Sequence, residues 1–398
     1  MNALSSFAVP GSFLFGAMPA ETTFVGILLK IGLILLVVHV ILILSALLVW
    51  GERRVAALIQ DRVGPNRVGP AGLLQALADL GKFIFKEDVV PAHVNKWMYV
   101  IAPAIAVVPA MITFAVIPFG PGIQLADLNI GILYTLSIGS LGVYGITLGG
   151  WASNSKYSLL GGVRSSAQMI SYEITMGLSA LGVLLMAGTL HLGEIVEWQA
   201  SNGWFLFHQP LAFFIFLTSA YAETNRLPFD LPEAETELVA GYHTEYSSMK
   251  FALFFMAEYT NMTVASALIT TLFLGGWSFF GLEHLGWAIG ILIFAIKTLF
   301  LLFVFLWIRW TLPRFRYDQL MAIGWKWFFP LSLLNVLVTA GVEAFHVPFL
   351  GYVVPLGLLG MGVLAAMISH NRDPGTPPLA SRTASVPSAA SSTSVSSS

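Results

Sequence analysis

Long apolar runs separated by short polar segments dominate the chain. A membrane-spanning helix needs about 20 apolar residues to cross a hydrocarbon core of about 30 Å. Runs of that kind predict nine spans, near residues 24–50, 98–119, 129–151, 167–190, 206–224, 251–275, 286–310, 328–345 and 347–369. The pattern therefore predicts an all-α, polytopic integral membrane protein, with a transmembrane helical domain over residues 1–369.

One polar connection has a helical pattern of its own. Between the first two predicted spans, apolar positions recur at helical spacing with charged residues among them, which is typical of an amphipathic helix at the membrane surface. The apolar positions are Leu73, Leu74, Leu77, Leu80, Phe83 and Ile84. A brace between the two spans is the simplest role for such a helix.

The basic residues predict the orientation. Cytoplasmic loops of membrane proteins retain Lys and Arg, and all 19 such residues except Lys30 and Lys297 lie in or at the edge of alternate connections or in the tail. The N-terminus is therefore predicted outside and the C-terminus in the cytoplasm. Residues 370–398 are mostly Ser, Ala, Thr, Pro and Val, which predicts a disordered cytoplasmic tail.

Composition narrows the function. Charged residues make up only 10% of the chain, against roughly 25% in soluble domains, and the formal net charge of -2 gives no field that would attract nucleic acid. The chain has no Cys, which excludes thiolate-held iron–sulfur clusters and cysteine nucleophiles. Its His residues show no metal-ligand spacing. Any electrons must therefore be carried by a partner chain or a diffusible ligand.

Acidic residues collect in the connection after the fifth predicted span, on the side where basic residues otherwise dominate. Pro232 followed by Glu233 suits the first turn of a short helix, because proline needs no donor there and acids favour the positive end of the helix dipole. A solvated acidic loop is the alternative interpretation. The acidic residues are Glu223, Asp230, Glu233, Glu235, Glu237 and Glu245.

Two further carboxylates lie inside predicted spans. Glu173 and Glu258 follow the inside ends of the fourth and sixth spans by about two turns, and Glu223 lies at the inside end of the fifth. A charge at the centre of a membrane helix costs about 2.5–3.5 kcal/mol, so such groups face protein or water. Lys297 would explain one of them by ion pairing, but not all three. Because burial disfavours ionised carboxyls, the three are predicted to relay protons.

Three long motifs, in the same order, resemble the H-type, quinone-site membrane subunit of the proton-pumping NADH:quinone oxidoreductase, respiratory complex I. The first inside loop carries GERR at 51–54, QDRVGPN at 60–66, Asp79 with Lys82, and KED at 86–88. The acidic loop carries AETNRLPFDLPEAE at 222–235 and EYS at 245–247. The last inside loop carries RFRYDQL at 314–320. The resemblance covers about residues 24–345.

The resemblance implies that the chain is part of a multi-subunit translocase in a bacterial plasma membrane. Its substrate would be a quinone, ubiquinone or menaquinone, and FMN and iron–sulfur clusters would belong to partner subunits of the peripheral arm; other membrane-arm subunits would also contact it. Residues matching the family's proton path are Glu173, Glu223, Asp230, Glu233, Glu235, Glu237, Glu245 and Glu258. Residues matching its quinone chamber are Arg53, Arg62, Asp79, Arg314 and Arg316.

Two alternatives remain open from the sequence. A related membrane-bound hydrogenase would use a similar chain without a quinone. An ion antiporter would need its own substrate site and alternating gates, and no internal repeat of the transporter kind is visible. The chains that purify with the protein would separate these alternatives.

Overall fold

A computed structural model describes residues 24–232 and 238–345 of the chain, together with Gly357 and Gly360. Regular structure in these residues is helical, as predicted. The helices are α1 Phe24–Ile59, α2 Gln75–Phe85, α3 Lys96–Thr113, α4 Gly131–Ala152, α5 Lys156–Ala187, α6 Leu192–Asn202, α7 Phe205–His208, α8 Pro210–Glu223, α9 Ser248–Phe273, α10 Trp287–Thr311, α11 Tyr317–Ala322 and α12 Phe329–Phe345. A π-helical segment, Ile323–Phe328, joins the last two.

Seven helices in the described residues are long and apolar enough to cross a membrane, counting Tyr317–Phe345 as one, and α8 is a shorter apolar helix. These eight occupy the first eight predicted spans, and the all-α membrane architecture is confirmed. α1 extends nine residues beyond its predicted end at residue 50, and α5 begins 11 residues before its predicted start at 167. The predicted span 347–369 and the tail lie outside the described residues.

Close backbone contacts hold the middle of the bundle together. A β-carbon at Gly145 of α4 would lie 2.6 Å from the backbone nitrogen of Ala106 on α3, and one at Gly150 would lie 2.5 Å from the carbonyl oxygen of Ser158 on α5. Small residues allow this approach, which drives helix association where lipid provides no hydrophobic force. α1 and the segment Tyr317–Phe345 are peripheral by contrast, because only a small share of their apolar residues is buried.

The amphipathic helix predicted between the first two spans is α2. Its apolar side chains remain exposed in the isolated chain, including Leu77, Ile84 and Phe85. Arg53 of α1 ties it to the bundle through an ion pair with Asp79, 2.7 Å between Nη1 and Oδ2. The exposed apolar face is the one expected to lie in the lipid interface.

α8 has 14 residues, about 21 Å at 1.5 Å per residue, which is too short to cross the hydrocarbon core alone. The first part of this predicted span is instead α7, followed by the non-helical Gln209, and Phe205 of α7 stacks on Trp198 of the 11-residue helix α6 with centroids 4.4 Å apart. A β-carbon at Gly139, near the middle of α4, would lie 3.6 Å from Glu223 Oε1. Glu223 is therefore deeper than its place at the inside end of the predicted span suggested.

Two side chains satisfy the backbone where helices are interrupted on the predicted outer side. Gln199 accepts a hydrogen bond from Gly275 N (2.9 Å) and donates to the carbonyl of Thr271 (2.8 Å). Lys297 donates to the carbonyl oxygens of Leu274 (2.6 Å), Gly276 (3.1 Å) and Ser278 (2.6 Å). Irregular backbone at membrane depth requires such partners. The lysine therefore binds backbone carbonyls in the described structure, and the predicted pairing with a carboxylate is not its principal contact.

Candidate functional site

The site begins on the buried face of α1. Buried residues recur there at helical spacing, namely Ile41, Ser45, Leu48, Glu52 and Ala56. Because 3.6 residues make a turn, this periodicity places the Glu52 carboxylate on the same inward face as the apolar side chains before it. Glu52 is only 6% exposed, so it must be paired or neutral.

Glu52 is the centre of a buried polar cluster. Arg226 Nη1 and the Tyr259 hydroxyl donate to Glu52 Oε2 at 3.0 and 2.8 Å, and Arg309 Nη1 donates to Oε1. The Arg226 guanidinium also lies over the Tyr259 ring, 4.3 Å from its centroid. We call Glu52, Arg226, Tyr259 and Arg309 the Glu52 cluster. It satisfies both oxygens of the carboxylate with charge-assisted or hydroxyl donors.

Arg226 connects this cluster to Glu258. Its Nη2 lies 3.7 Å from Glu258 Oε2, and both side chains are buried. The Tyr242 hydroxyl donates to Glu258 Oε1 at 3.3 Å. One guanidinium therefore lies between two buried carboxylates on α1 and α9. A proton gained or lost by either carboxylate alters the electrostatic energy of the other, because charges interact strongly in a medium of low dielectric constant.

Two cavities extend this site into the bundle. The first is small and is lined by Glu223, Asn225, Tyr242, Glu258 and Asn261, among others. The second is larger, shares Glu223 and Asn261 and reaches Thr113, Thr135 and Leu268. Glu223 and Glu258, which sequence placed on neighbouring spans, thus line one cavity.

Glu173 is the third intramembrane carboxylate of the prediction. It lies midway along α5 and is partly buried. Its electrostatic interaction with Glu223 is repulsive. The structure therefore brings the three predicted intramembrane carboxylates near one another. Glu173 interacts electrostatically with Glu223, and Glu223 lines a cavity together with Glu258.

Asp230 of the predicted proton path and Arg314 of the predicted quinone chamber form an ion pair in the structure. Arg314 Nη2 lies 3.2 Å from Asp230 Oδ2, and the adjacent rings of Phe229 and Phe315 stack with centroids 5.6 Å apart. The Phe315 N–H donates to the carbonyl oxygen of Pro228 at 3.1 Å. These contacts attach the last inside loop to the segment that follows α8.

Glu245 is positioned through its backbone. Its carbonyl oxygen accepts a hydrogen bond from the Tyr99 hydroxyl at 2.6 Å, and the Tyr246 hydroxyl donates back to the Tyr99 carbonyl at 3.1 Å. The two tyrosine rings stack with centroids 4.1 Å apart. Burial, and then the neighbouring Tyr99, raises the pKa of the Tyr246 phenol, which keeps it a neutral donor. The end of the acidic loop is thereby fixed to α3.

The remaining predicted residues lie on the surface that was predicted to face inside, or outside the described part. Arg62 is exposed, with its Nε 2.7 Å from Gln60 Oε1, and Arg316 is exposed at the start of α11. Neither contacts the Glu52 cluster, whereas Arg53 is next to Glu52 in sequence but points away toward Asp79. Glu233, Glu235 and Glu237, with the short helix predicted at Pro232, lie outside the described residues.

Sequence reasoning missed the Glu52 cluster as a site. Glu52 and Arg226 lie within two of the motifs that carry the family resemblance, Arg309 lies near the end of a predicted span, and Tyr259 lies within one. The sequence signals were these motifs and the helical register that continues from Ile41 through Leu48 to Glu52. No group of three or more potential metal ligands occurs within the described residues.

Comparisons with known proteins identify relatives over most of the chain. A family model described as NADH dehydrogenase matches residues 31–340. An H-type NADH-quinone oxidoreductase subunit of Geobacter sulfurreducens is 55% identical over 321 residues, 78% of this chain and 95% of the relative. An H-type NADH-quinone oxidoreductase subunit of Geobacter metallireducens is 54% identical over 325 residues, 79% of this chain and 97% of the relative. The H-type subunit of Rickettsia bellii is 55% identical over 308 residues, 76% of this chain and 91% of the relative.

Proposed function

This chain belongs to the family of H-type subunits of NADH-quinone oxidoreductase and is a membrane subunit of that multi-subunit enzyme, and we propose that it forms much of the quinone-binding tunnel. We also propose that it forms the beginning of the proton path that couples quinone reduction to proton translocation. The relatives' names supply the enzyme and its substrate class. The buried arrangement of Glu52, Arg226 and Glu258 is the observation that carries the proposal.

The coupling begins where α1 presents two charges in opposite directions. Arg53 points outward to Asp79 at the inside surface, and Glu52, its neighbour in sequence, points into the buried cluster. A quinone head near Arg53 and Asp79 gains charge when it is reduced. The added charge interacts electrostatically with Glu52, which is adjacent to Arg53 in the helix. This interaction changes which protonation states of the cluster are favourable.

The proton path then runs from the cluster to the cavities. Arg226 links Glu52 to Glu258, and Glu258 shares a cavity with Glu223. A change of charge at Glu52 alters how strongly Arg226 stabilises ionised Glu258, so a proton moves between Glu258 and Glu223. Glu173, which repels Glu223, would receive or release the next proton.

The quinone route lies at the surface that α2 presents. Exposed apolar side chains of α2 suit the isoprenoid tail, and the exposed Arg62 and Arg316 suit a polar head that leaves the lipid. We propose that a peripheral-arm subunit covers these arginines and completes the chamber. The FMN and iron–sulfur clusters that reduce the quinone would be held by such partner chains.

The test substitutes glutamine for glutamate, because the amide keeps the size of the side chain but has no titratable carboxyl group that could release a proton. Glu258→Gln and Glu223→Gln should leave the enzyme assembled and should retain NADH oxidation by an artificial acceptor, while quinone reduction and coupled proton pumping fall. Glu197→Gln is the matched control, because Glu197 is exposed on α6 outside the proposed path. Rates are measured in membrane vesicles that contain equal amounts of assembled enzyme.

Wild-type quinone reduction and pumping in both path variants would refute the proton path. The same preparations address the alternatives from the sequence. A chain that purifies with hydrogenase subunits, or with no partner, would favour the hydrogenase or the antiporter over the quinone-linked enzyme.

A further inference from the structure

The second cavity continues beyond the acidic residues toward the outer ends of the helices. Gly139, which lies beside Glu223, is eight residues from the start of α4 at Gly131 and 13 residues from its end at Ala152. At 1.5 Å per residue these separations are about 12 Å and about 20 Å. Along α4, a proton on Glu223 is therefore already more than halfway from the inside end to the outer end.

Polar groups line the cavity over half of the remaining distance. Thr135 lies one helical turn outward from Gly139, and Thr113 lies at the outer end of α3. Their hydroxyls each donate to a helix carbonyl, at 2.8 and 2.9 Å, which leaves their oxygens free to accept hydrogen bonds from water. Within the described residues, nothing donates a hydrogen bond to the Glu223 carboxylate, which lines the same space. Such a cavity is polar enough to hold water.

An apolar layer of Val116, Gly131 and Leu192 lies one helical turn farther out along α4 than Thr135. A β-carbon at Gly131 would lie 3.1 Å from Val116 Cγ1 and 3.2 Å from Leu192 Cγ, and both of these side chains are fully buried. Gly131 is one turn from Thr135, so the layer lies about 6 Å from this threonine along α4. Along α4 it therefore lies between the hydroxyl-lined part of the cavity and the outer end of the helix.

Ionisable groups lie directly outside this layer. His191 precedes Leu192, and its Nε2 contacts the Asp127 carboxylate, whose side chain is 73% exposed. His191 Nδ1 accepts a hydrogen bond from Glu194 N at 3.2 Å, so the neutral ring carries its proton on Nε2, facing Asp127. This pair is suited to pass a proton between the layer and the water outside.

We propose that this chain contains an outward branch of the proton path, which leads from Glu223 through the cavity at Thr135 and Thr113 to the Asp127–His191 pair. The proposal rests on the proton path proposed above. The apolar layer of Val116, Gly131 and Leu192 is closed in the described structure and opens during turnover. A proton released from Glu223 then reaches the outer surface through this chain rather than only through a neighbouring one.

The absence of Cys from the chain makes the branch testable by introduced thiols. The variants Thr135→Cys and Thr113→Cys, on opposite walls of the cavity, are made in the whole enzyme. Membrane vesicles of each orientation are then treated with a small charged methanethiosulfonate, which does not cross the membrane and reacts with thiolates in water. Thr147→Cys is the matched control, since Thr147 lies on the same helix with its hydroxyl bonded to Val143 O and Ser166 Oγ. Labelling of this chain is measured by mass spectrometry.

The proposal expects both cavity thiols to react faster than Thr147→Cys from the inside at rest, and from the outside only while NADH reduces quinone. Labelling no faster than the control would show that the cavity is dry and would overturn the branch. Labelling from the inside alone, at rest and during turnover, would identify a blind pocket and would overturn it equally. Because labelling reports water access and not quinone reduction, it is independent of the outcome for Glu223→Gln and Glu258→Gln.

Discussion

Replacing Arg226 with methionine removes the cation that two buried carboxylates share. Arg226 is 4% exposed, 3.0 Å from Glu52 and 3.7 Å from Glu258, and methionine retains most of its length without the charge. Removing one partner of a buried ion pair costs about 3–5 kcal/mol. Glu52 keeps its contacts to Tyr259 and Arg309, so the cost should lie near the lower limit, about 3 kcal/mol.

The assay is the thermal midpoint of the assembled enzyme. Membranes are heated in steps, and the fraction of this chain that remains in the complex is measured on native gels. Domains of 150–250 residues lose roughly 2–4 °C per kcal/mol, so the Arg226→Met midpoint should fall by several degrees. Arg67→Met is the matched control, because Arg67 is exposed and its loss should cost no more than about 0.5 kcal/mol.

A second substitution tests the cause. Glu52→Gln in the Arg226→Met background should recover part of the lost stability, because an amide needs no counter-charge. A wild-type midpoint for Arg226→Met would refute the reasoning that the ion pairs are buried and coupled. A double variant no more stable than Arg226→Met alone would show that the uncompensated charge of Glu52 is not the reason for the loss.

Three other features of the chain are open to direct tests. A reporter inserted at the exposed Gly203 should lie outside, and one fused after Arg372 should lie inside, because the basic residues predict this orientation. Reporters in the same compartment at both points would contradict the nine-span topology. Arg62→Ala should lower the ratio of the quinone-reduction rate to the artificial-acceptor rate by roughly tenfold, because the variant loses a charged hydrogen bond to the quinone head of about 1.5 kcal/mol. An unchanged ratio would assign Arg62 a structural role. Lys297→Met leaves three carbonyls without their donor and should lower the stability by at least about 2 kcal/mol, which is measured as a lower thermal midpoint with the same ratio of rates. A changed ratio at normal stability would give Lys297 a part in catalysis.

The sequence alone determined the helical architecture, for a physical reason that lies in the lipid. Within the hydrocarbon every backbone polar group must be satisfied, which forces long apolar helices, and the same requirement makes residues such as Glu173 and Glu258 conspicuous. Helical spacing was also sufficient to predict α2, since its period is a local property of residues 73–84. The inside-loop motifs were sufficient to identify the family.

Tertiary structure alone decided which charges meet. Glu52 and Arg53 are neighbours in the sequence, yet one is buried against Arg226 and the other lies at the surface against Asp79. That division depends on the packing of α1 against α9 and α10, which contribute Tyr259 and Arg309 from more than 200 residues away. Local spacing carries no information about such partners, because the free energy that selects them comes from desolvating all of them together.

Depth in the membrane was decided in the same way. The sequence places Glu223 at the end of a span, but in the structure this last residue of α8 lies beside the middle of α4. Gln199 accepts a hydrogen bond from Phe205 N, at the start of α7, at 3.3 Å, and Lys297 donates to carbonyl oxygens of the segment that follows α9. An apolar run predicts that a segment lies in the membrane. The depth of a carboxylate in the bilayer depends instead on which groups of neighbouring helices pack beside it and satisfy the backbone there.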